Sequence, residues 1–250
     1  MSEALARQMP PVQYADTNGI RMAYYEVGPR TGVPVIFCHG FPELAFSWRH
    51  QLRAFEAAGR WAIAPDQRGY GLTGGPAGAE NYDLEYLTGD LVGLLDRLGI
   101  DKAIFCGHDW GGMVVWDMAL RHPDRVAGVI GVNTPFLPRG PVDPIAAMRA
   151  AYGDDMYVVW FQQPGLADAV LGTDVERSIR FFMRKPLLTL EQYQQLPAEM
   201  RTLALGEALK LYDAATDTQQ FLTDDEIAAF AESFAATGFT GGINWYRNFT

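Results

Sequence analysis

Two cysteines in 250 residues are too few to staple a scaffold with disulfides. Cys38 and Cys106 each end a short apolar run, and their separation fits no metal or redox motif. Both are therefore expected to be buried, reduced thiols in neighbouring parallel strands. No run of eighteen uninterrupted apolar residues occurs, and Met1 to Pro10 holds Arg7 without the apolar stretch of a secretory leader. Those two absences argue for a soluble, cytoplasmic chain with no membrane partner. Nor does any basic run balance the 30 acidic side chains, and the formal net charge of -10 argues against nucleic acid or an anionic membrane surface. A neutral small molecule, or one not steered by charge, fits better. No internal repeat and no low-complexity segment is found. What is present is ordinary globular composition, 48% hydrophobic and 20% charged, enough to bury a sizeable core.

In chain order, Val12 to Ala15 and Ile20 to Glu26 flank Asn18-Gly19, a strong hairpin signal, with Ile20, Met22 and Tyr24 alternating toward one face. The apolar run Val33 to Cys38 follows. A helix is then expected with Phe46, Leu52 and Phe55 on one side, and after it the strand Trp61 to Ala64. Leu84, Leu87, Leu91, Leu94, Leu95 and Leu98 form an amphipathic stripe closed by Gly99. Ala103 to Cys106, a helix running to Arg121-His122-Pro123, and a buried strand over Val126 to Val132 complete the alternation. Such alternation predicts an α/β fold with a mostly parallel sheet and helices on both faces, its ligand above the carboxyl ends of the strands. Pro135, Pro138, Pro141 and Pro144 then break the pattern, and helices and loops without a convincing strand are expected as far as Gly238. The expected division is thus a core over 1–133, a helical lid over 134–238 and a return segment over 239–250. Gly69-Tyr70-Gly71-Leu72-Thr73-Gly74 matches the dinucleotide-binding spacing on paper. Gly75-Pro76-Ala77-Gly78 stands where a helix must begin, so no nucleotide is expected, and neither cofactor nor metal is implied elsewhere.

The chain is organised around Gly107-His108-Asp109-Trp110-Gly111-Gly112, a small-residue turn between a strand and a helix with Asp109 at its tip. It looks like the nucleophile elbow of the α/β-hydrolases, with a carboxylate where esterases carry serine. Serine needs a base before it can attack an acyl carbon. A carboxylate is already ionised and can displace a leaving group from saturated carbon, leaving an ester on Asp109. His39-Gly40-Phe41-Pro42 follows the third strand, where this fold supplies one oxyanion-hole N–H; the donors here would be Phe41 and Trp110, with His39, Gly40 and Pro42 shaping the loop.

Taken together, His39-Gly40-Phe41-Pro42-Glu43, Asp66-Gln67-Arg68-Gly69-Tyr70-Gly71, the Asp109 hexapeptide and Asn244-Trp245-Tyr246-Arg247-Asn248 resemble the soluble epoxide hydrolases of the α/β-hydrolase fold. The resemblance spans about residue 12 to the last residue. It implies hydrolysis of an epoxide to a vicinal diol by way of the Asp109 ester, with a small hydrophobic epoxide and water as partners; a homo-oligomer is compatible with it. It also implies two lid tyrosines that hydrogen-bond the epoxide oxygen. Tyr246 matches one, and Tyr157, within Tyr157-Val158-Val159-Trp160-Phe161-Gln162-Gln163-Pro164-Gly165, matches the other. A phenol suits this task, because an opened epoxide expels an alkoxide and tyrosine ordinarily still holds its proton at neutral pH. Tyr152, outside that context, is expected to be packing. The apolar residues Trp160, Phe161, Phe181, Phe182 and Met183 favour a hydrophobic substrate.

The family also uses a histidine near the C-terminus, oriented by an acid, to activate water against the ester. None of the four histidines is a credible base: His39 belongs to the oxyanion loop, His50 to the first helix, His108 alternates away from Asp109, and His122 closes a helix. The family pattern continues with two more strands, a helix and the acid. A fragment lacking the C-terminal part of the core is therefore expected, with the sixth strand left at an uncovered sheet edge. Two other functions compete. A haloalkane dehalogenase shares the Asp109-Trp110 pair but needs N–H donors for a halide, where this chain offers two phenols. A ligand-binding relative without turnover would use the same pocket.

Overall fold

The computed structural model describes residues 8–197 and 203–249, so part of Met1 to Pro10 and part of the expected lid lie outside it. It divides into two compact units, Met1–Pro138 and Arg139–Thr250.

The first unit holds six strands: β1 (Val12–Thr17), β2 (Ile20–Val27), β3 (Val35–Cys38), β4 (Ala62–Pro65), β5 (Ala103–His108) and β6 (Val126–Val132). Their order across the sheet is β1-β2-β4-β3-β5-β6, antiparallel over the first three and parallel from β4 onward. The Asn18-Gly19 turn closes the β1–β2 hairpin, with both residues at positive φ. Alternation fails along β2, however, because Ala23 and Tyr25 are as buried as Met22 and Tyr24. Helices on both sides of the sheet pack against β2, so both of its faces are covered.

Three helices cross between the parallel strands: α1 (Arg49–Ala57), α2 (Leu84–Leu98) and α3 (Trp110–Arg121). The step from β3 to β4 runs one way across the sheet, and the steps from β4 to β5 and from β5 to β6 run the other. Right-handed crossovers then put α1 on one face and α2 and α3 on the opposite face. In keeping with this, α1 packs on β2 and β4, whereas α2 packs on β1 and α3. Asp83 caps α2 by accepting from the Tyr86 N–H at 2.9 Å, and Gly99 ends it in the left-handed conformation. Leu87, Leu91, Leu94 and Leu95 are buried along the expected stripe, each contributing about 1.5–3 kcal/mol. Phe46 is buried in a short 3-10 turn, Ala45–Trp48, ahead of α1 rather than within it. The other departure is β6. A buried strand is expected, but Ile130 and Val132 are 48% and 39% exposed, because β6 is the last strand in the order and pairs only with β5.

Cys38 and Cys106 are free, buried and on neighbouring parallel strands, as expected. The register pairs Phe37 with Cys106 and Cys38 with Gly107. Paired residues share a face, so the two thiols lie on opposite faces of the sheet.

Among its described residues the second unit is helical: α4 (Pro144–Tyr152), α5 (Tyr157–Trp160), α6 (Leu166–Gly172), α7 (Val175–Phe182), α8 (Leu190–Gln195), α9 (Leu205–Leu211), α10 (Asp224–Thr237) and α11 (Thr240–Arg247). Its only strand-like feature there is a bridge between Arg184 and Gln220. Tyr152 is 44% exposed, so it is not the packing residue expected: it is the last residue of α4, before Gly153 ends the helix at positive φ. No described helix is long and apolar enough to cross a membrane.

Candidate active site

Strand order sets the site. The chain leaves β3 toward β4 on one side and leaves β5 toward β6 on the other, which opens a crevice at the carboxyl ends of β3 and β5. The His39-Gly40-Phe41 loop follows β3, and Asp109 follows β5. Asp109 has φ 53° and ψ -125°, a conformation that costs a non-glycine residue about 1–3 kcal/mol and persists only when its surroundings enforce it. They do so here. The Asp109 carbonyl accepts from Gly112 N–H at 2.9 Å and from the Thr134 hydroxyl at 3.1 Å. Gly111 lies so close to β3 that a Cβ there would overlap the Cys38 carbonyl.

The Asp109 side chain points at the loop after β3. Phe41 N–H donates to its Oδ1 at 2.9 Å, and the Trp110 N–H is a second backbone donor to the carboxylate. Burial nevertheless raises the Asp109 pKa, with the two N–H donors working against it, the Glu43 charge adding to the rise and His108 opposing it. Gly40 cannot carry a side chain, since a Cβ there would lie 2.5 Å from Asp109 Oδ1 and 2.8 Å from its Cγ. The Phe41–Pro42 bond is cis.

His39 is fully buried, and burial lowers its pKa. Its Nε2 accepts from Gln67 N–H at 3.1 Å, which leaves Nδ1 to donate to the Gly40 carbonyl at 3.0 Å. This fixes one neutral tautomer and makes the ring a brace for the loop. Gln67 returns the tie by donating to the His39 carbonyl at 2.6 Å. Asp66, one residue earlier, accepts from Ala45 N–H and Leu72 N–H, each at 3.0 Å, and so ties down the two loops beside it. The turn Gly69 to Gly74 leads into no α-helix until α2, only a short 3-10 turn at Ala79–Asn81, and in place of a phosphate cradle its backbone wraps the Asp66 carboxylate.

Two features of this crevice were not read from the sequence. Glu43 accepts from Gly40 N–H at 3.2 Å and faces His108 Nδ1, also at 3.2 Å, joining the loop after β3 to the end of β5. Its hydrogen bond raises the His108 pKa. His108 is thus turned to Glu43 and makes no hydrogen bond to Asp109. Thr134 is the second, packing against Gly112 and accepting at its carbonyl from Trp116 Nε1 at 2.9 Å. A signal existed for Glu43, since it ends the quoted His39-Gly40-Phe41-Pro42-Glu43 motif; none existed for Thr134.

Within the second unit Tyr157 begins α5 and Tyr246 lies near the end of α11. Their rings are 5.9 Å apart and nearly perpendicular, and both meet the ring of buried Phe161 edge-on, at 5.8 and 4.9 Å. Gln162 donates to the Val158 and Tyr246 carbonyls, each at 2.9 Å, linking the two tyrosine-bearing helices. Phe181 and Met183 are buried, and Phe181 packs on Phe182 and Tyr212. They lie in this unit's own interior, as fully buried Phe161 does. Among the described residues no group of three or more His, Cys, Asp or Glu side chains could hold a metal ion.

Residues 33–248 match the α/β-hydrolase fold family. The chain is 44% identical over 243 residues to epoxide hydrolase A of Mycobacterium tuberculosis, covering 96% of this chain and 74% of that protein. Its identity with epoxide hydrolase 1 of Siraitia grosvenorii is 43%, over 92% of this chain and 70% of that one. Among solved structures, epoxide hydrolase A of Mycobacterium thermoresistibile superposes with a TM-score of 0.84 at 42% identity, covering 96% of this chain and 75% of that one. An epoxide hydrolase of Vigna radiata gives 0.79 at 36% identity, over 97% and 72%.

Proposed function

We propose, for a chain that belongs to the epoxide hydrolases of the α/β-hydrolase fold, that epoxide hydrolysis proceeds through an ester on Asp109 and that the substrate is hydrophobic. One Asp109 oxygen attacks a ring carbon, a C–O bond forms as the ring C–O bond breaks, and the released alkoxide takes a proton from Tyr157 or Tyr246. Water then adds to the ester carbonyl, charge develops on its oxygen beside Phe41 N–H and Trp110 N–H, and the acyl C–O bond to the diol breaks as the carboxylate is restored, one water proton ending on the departing diol oxygen and the other on the tyrosinate. The observation that carries this reading is the strained Asp109, its carboxylate held by Phe41 N–H at 2.9 Å. Donors already in contact with the carboxylate need not reorganise when the ester carbonyl takes up charge. Two phenols on adjoining helices favour an alkoxide leaving group over a halide, which needs no proton.

The test is rapid acid quench after mixing with excess lipophilic epoxide, then peptide mass mapping. The peptide holding Asp109 should gain the mass of the epoxide, and Asp109→Asn should lose that adduct. Failure to find any adduct on that peptide, whether or not diol forms, would overturn the ester mechanism.

A further inference from the structure

We propose that Arg247 is a positioning residue for ring opening, acting as the pin that holds the Tyr157 and Tyr246 helices in one register; this rests on the reading of those tyrosines as proton donors. Tyr157 sits on α5, a single turn of four residues, Tyr157–Trp160. One turn has no stability of its own, since helix nucleation fixes several dihedrals for little hydrogen bonding in return. Its orientation must come from outside, and Arg247 supplies much of it. Arg247 is the last residue of α11, immediately after Tyr246. Its Nε donates to the carbonyl of Phe161, the C-cap of α5, at 3.0 Å, and its Nη2 to the Gln163 carbonyl in the segment that follows, at 3.3 Å. The same guanidinium reaches back to Asn244 Oδ1 at 2.8 Å on α11 and forward to Asp168 Oδ2 at 2.9 Å on α6.

One planar cation therefore bonds three helical segments. The ion pair with Asp168 is largely buried, at 11% and 14% side-chain exposure. Burial pulls the Asp168 carboxyl up, but hydrogen bonds from Thr240 and Arg247 outweigh it and hold the carboxyl below its ordinary value, so the anion persists at neutral pH. Gln162 runs a second link in parallel, from the Val158 carbonyl to the Tyr246 carbonyl. Phe161, whose carbonyl Arg247 holds, is also the ring that both tyrosine rings meet edge-on. Displacing the guanidinium thus frees the backbone of a residue that packs against both phenols. Lysine offers a point charge and no fork, so it cannot serve carbonyls on one side and a carboxylate on the other.

The experiment measures formation of the Asp109 adduct by rapid quench across epoxide concentrations. Arg247→Gln should lower the limiting rate about tenfold, with the half-saturating concentration moving less than twofold, because binding area is kept while proton donors are misaimed. Arg247→Lys should behave like Arg247→Gln. In a Tyr157→Phe background, Arg247→Gln should slow the reaction less than twofold further, since the phenol whose one-turn helix it orients is already gone. Equal slowing in both backgrounds, or none in the parent, overturns the proposal. Should Arg247→Gln fail to fold, Asp168→Asn loosens the same guanidinium and should lower the limiting rate a few-fold with the same split; an unchanged rate there overturns it equally. If Tyr157→Phe and Tyr246→Phe both leave the rate unchanged, the proton-donor reading itself fails and this inference falls with it.

Discussion

A methyl group at residue 40 is the sharpest probe of the crevice. The three atoms nearest a Cβ on Gly40 all belong to the Asp109 side chain, with Oδ1 at 2.5 Å and Cγ at 2.8 Å. Ordinary contact would need 3.4 Å or more, so the loop after β3 must retreat by roughly 1 Å, or Asp109 must leave its rotamer. Either movement stretches the 2.9 Å bond from Phe41 N–H beyond hydrogen-bonding range. Overpacking of this kind costs about 1–3 kcal/mol, and losing a hydrogen bond to a charged group about 1.5–3 kcal/mol. Gly40→Ala should therefore destabilise the protein by about 3–5 kcal/mol in urea unfolding and abolish rapid adduct formation. Removing the obstacle tests the cause. In an Asp109→Gly background, the added cost of Gly40→Ala should shrink below about 1 kcal/mol, because the atoms that the methyl group meets are gone. Equal destabilisation in both backgrounds would mean that the penalty arises elsewhere in the loop and that the contact with Asp109 is not what excludes a side chain.

The rate of adduct formation should fall on acidification at a pH above the ordinary carboxylate range, since burial raises the Asp109 pKa and only the anion attacks; an acid limb at or below about 4 would contradict it. Stability should run the other way, because a carboxyl with a raised folded pKa holds more protons folded than unfolded. The gain in urea midpoint of Asp109→Asn over the parent should thus grow as pH rises from the unfolded to the raised folded value, and a flat difference would refute this. Arg68 and Asp90 form a buried pair at 2.6 Å, each side chain 2% exposed; Asp90→Asn should cost about 3–5 kcal/mol in unfolding free energy, whereas Arg68→Met with Asp90→Leu should recover most of that loss. Thiol titration should find almost nothing in the native protein, because burial pushes the Cys106 thiol up to about 11 and Cys38 higher, and should find two thiols after unfolding without reductant.

What could be read from the sequence was whatever neighbouring residues decide. The Asn18-Gly19 hairpin, the leucine stripe of α2 with its Gly99 cap, and the turn carrying Asp109 are each determined within about fifteen residues, and each forms where expected. Properties set by position in the sheet were not legible. The alternation in β2 predicts one solvated face and the apolar run of β6 a buried strand, yet β2 is covered on both faces and β6 stands last in the order. The same limit governs the site. Gly40 and Asp109 stand 69 residues apart in number, and Glu43 and His108 are separated by 65; each pair meets only because β3 and β5 are adjacent.

That adjacency explains why small residues cluster in two motifs distant in sequence. A loop returning from β3 and a turn leaving β5 diverge to opposite sides of the sheet, and between them lies space for one carboxylate and the N–H groups that hold it. Gly40 and Gly111 are small for one shared reason, since each faces the other segment's chain across that space: Gly40 meets the Asp109 side chain, and Gly111 meets the Cys38 carbonyl. His39 and Glu43 then keep the loop from relaxing, one by bonding Gln67 after β4 and the other by facing His108 on β5. The strain at Asp109 persists because groups that follow three consecutive strands of the sheet, β3, β5 and β6, bear on a single residue: the Phe41 N–H, the Gly112 N–H and the Thr134 hydroxyl.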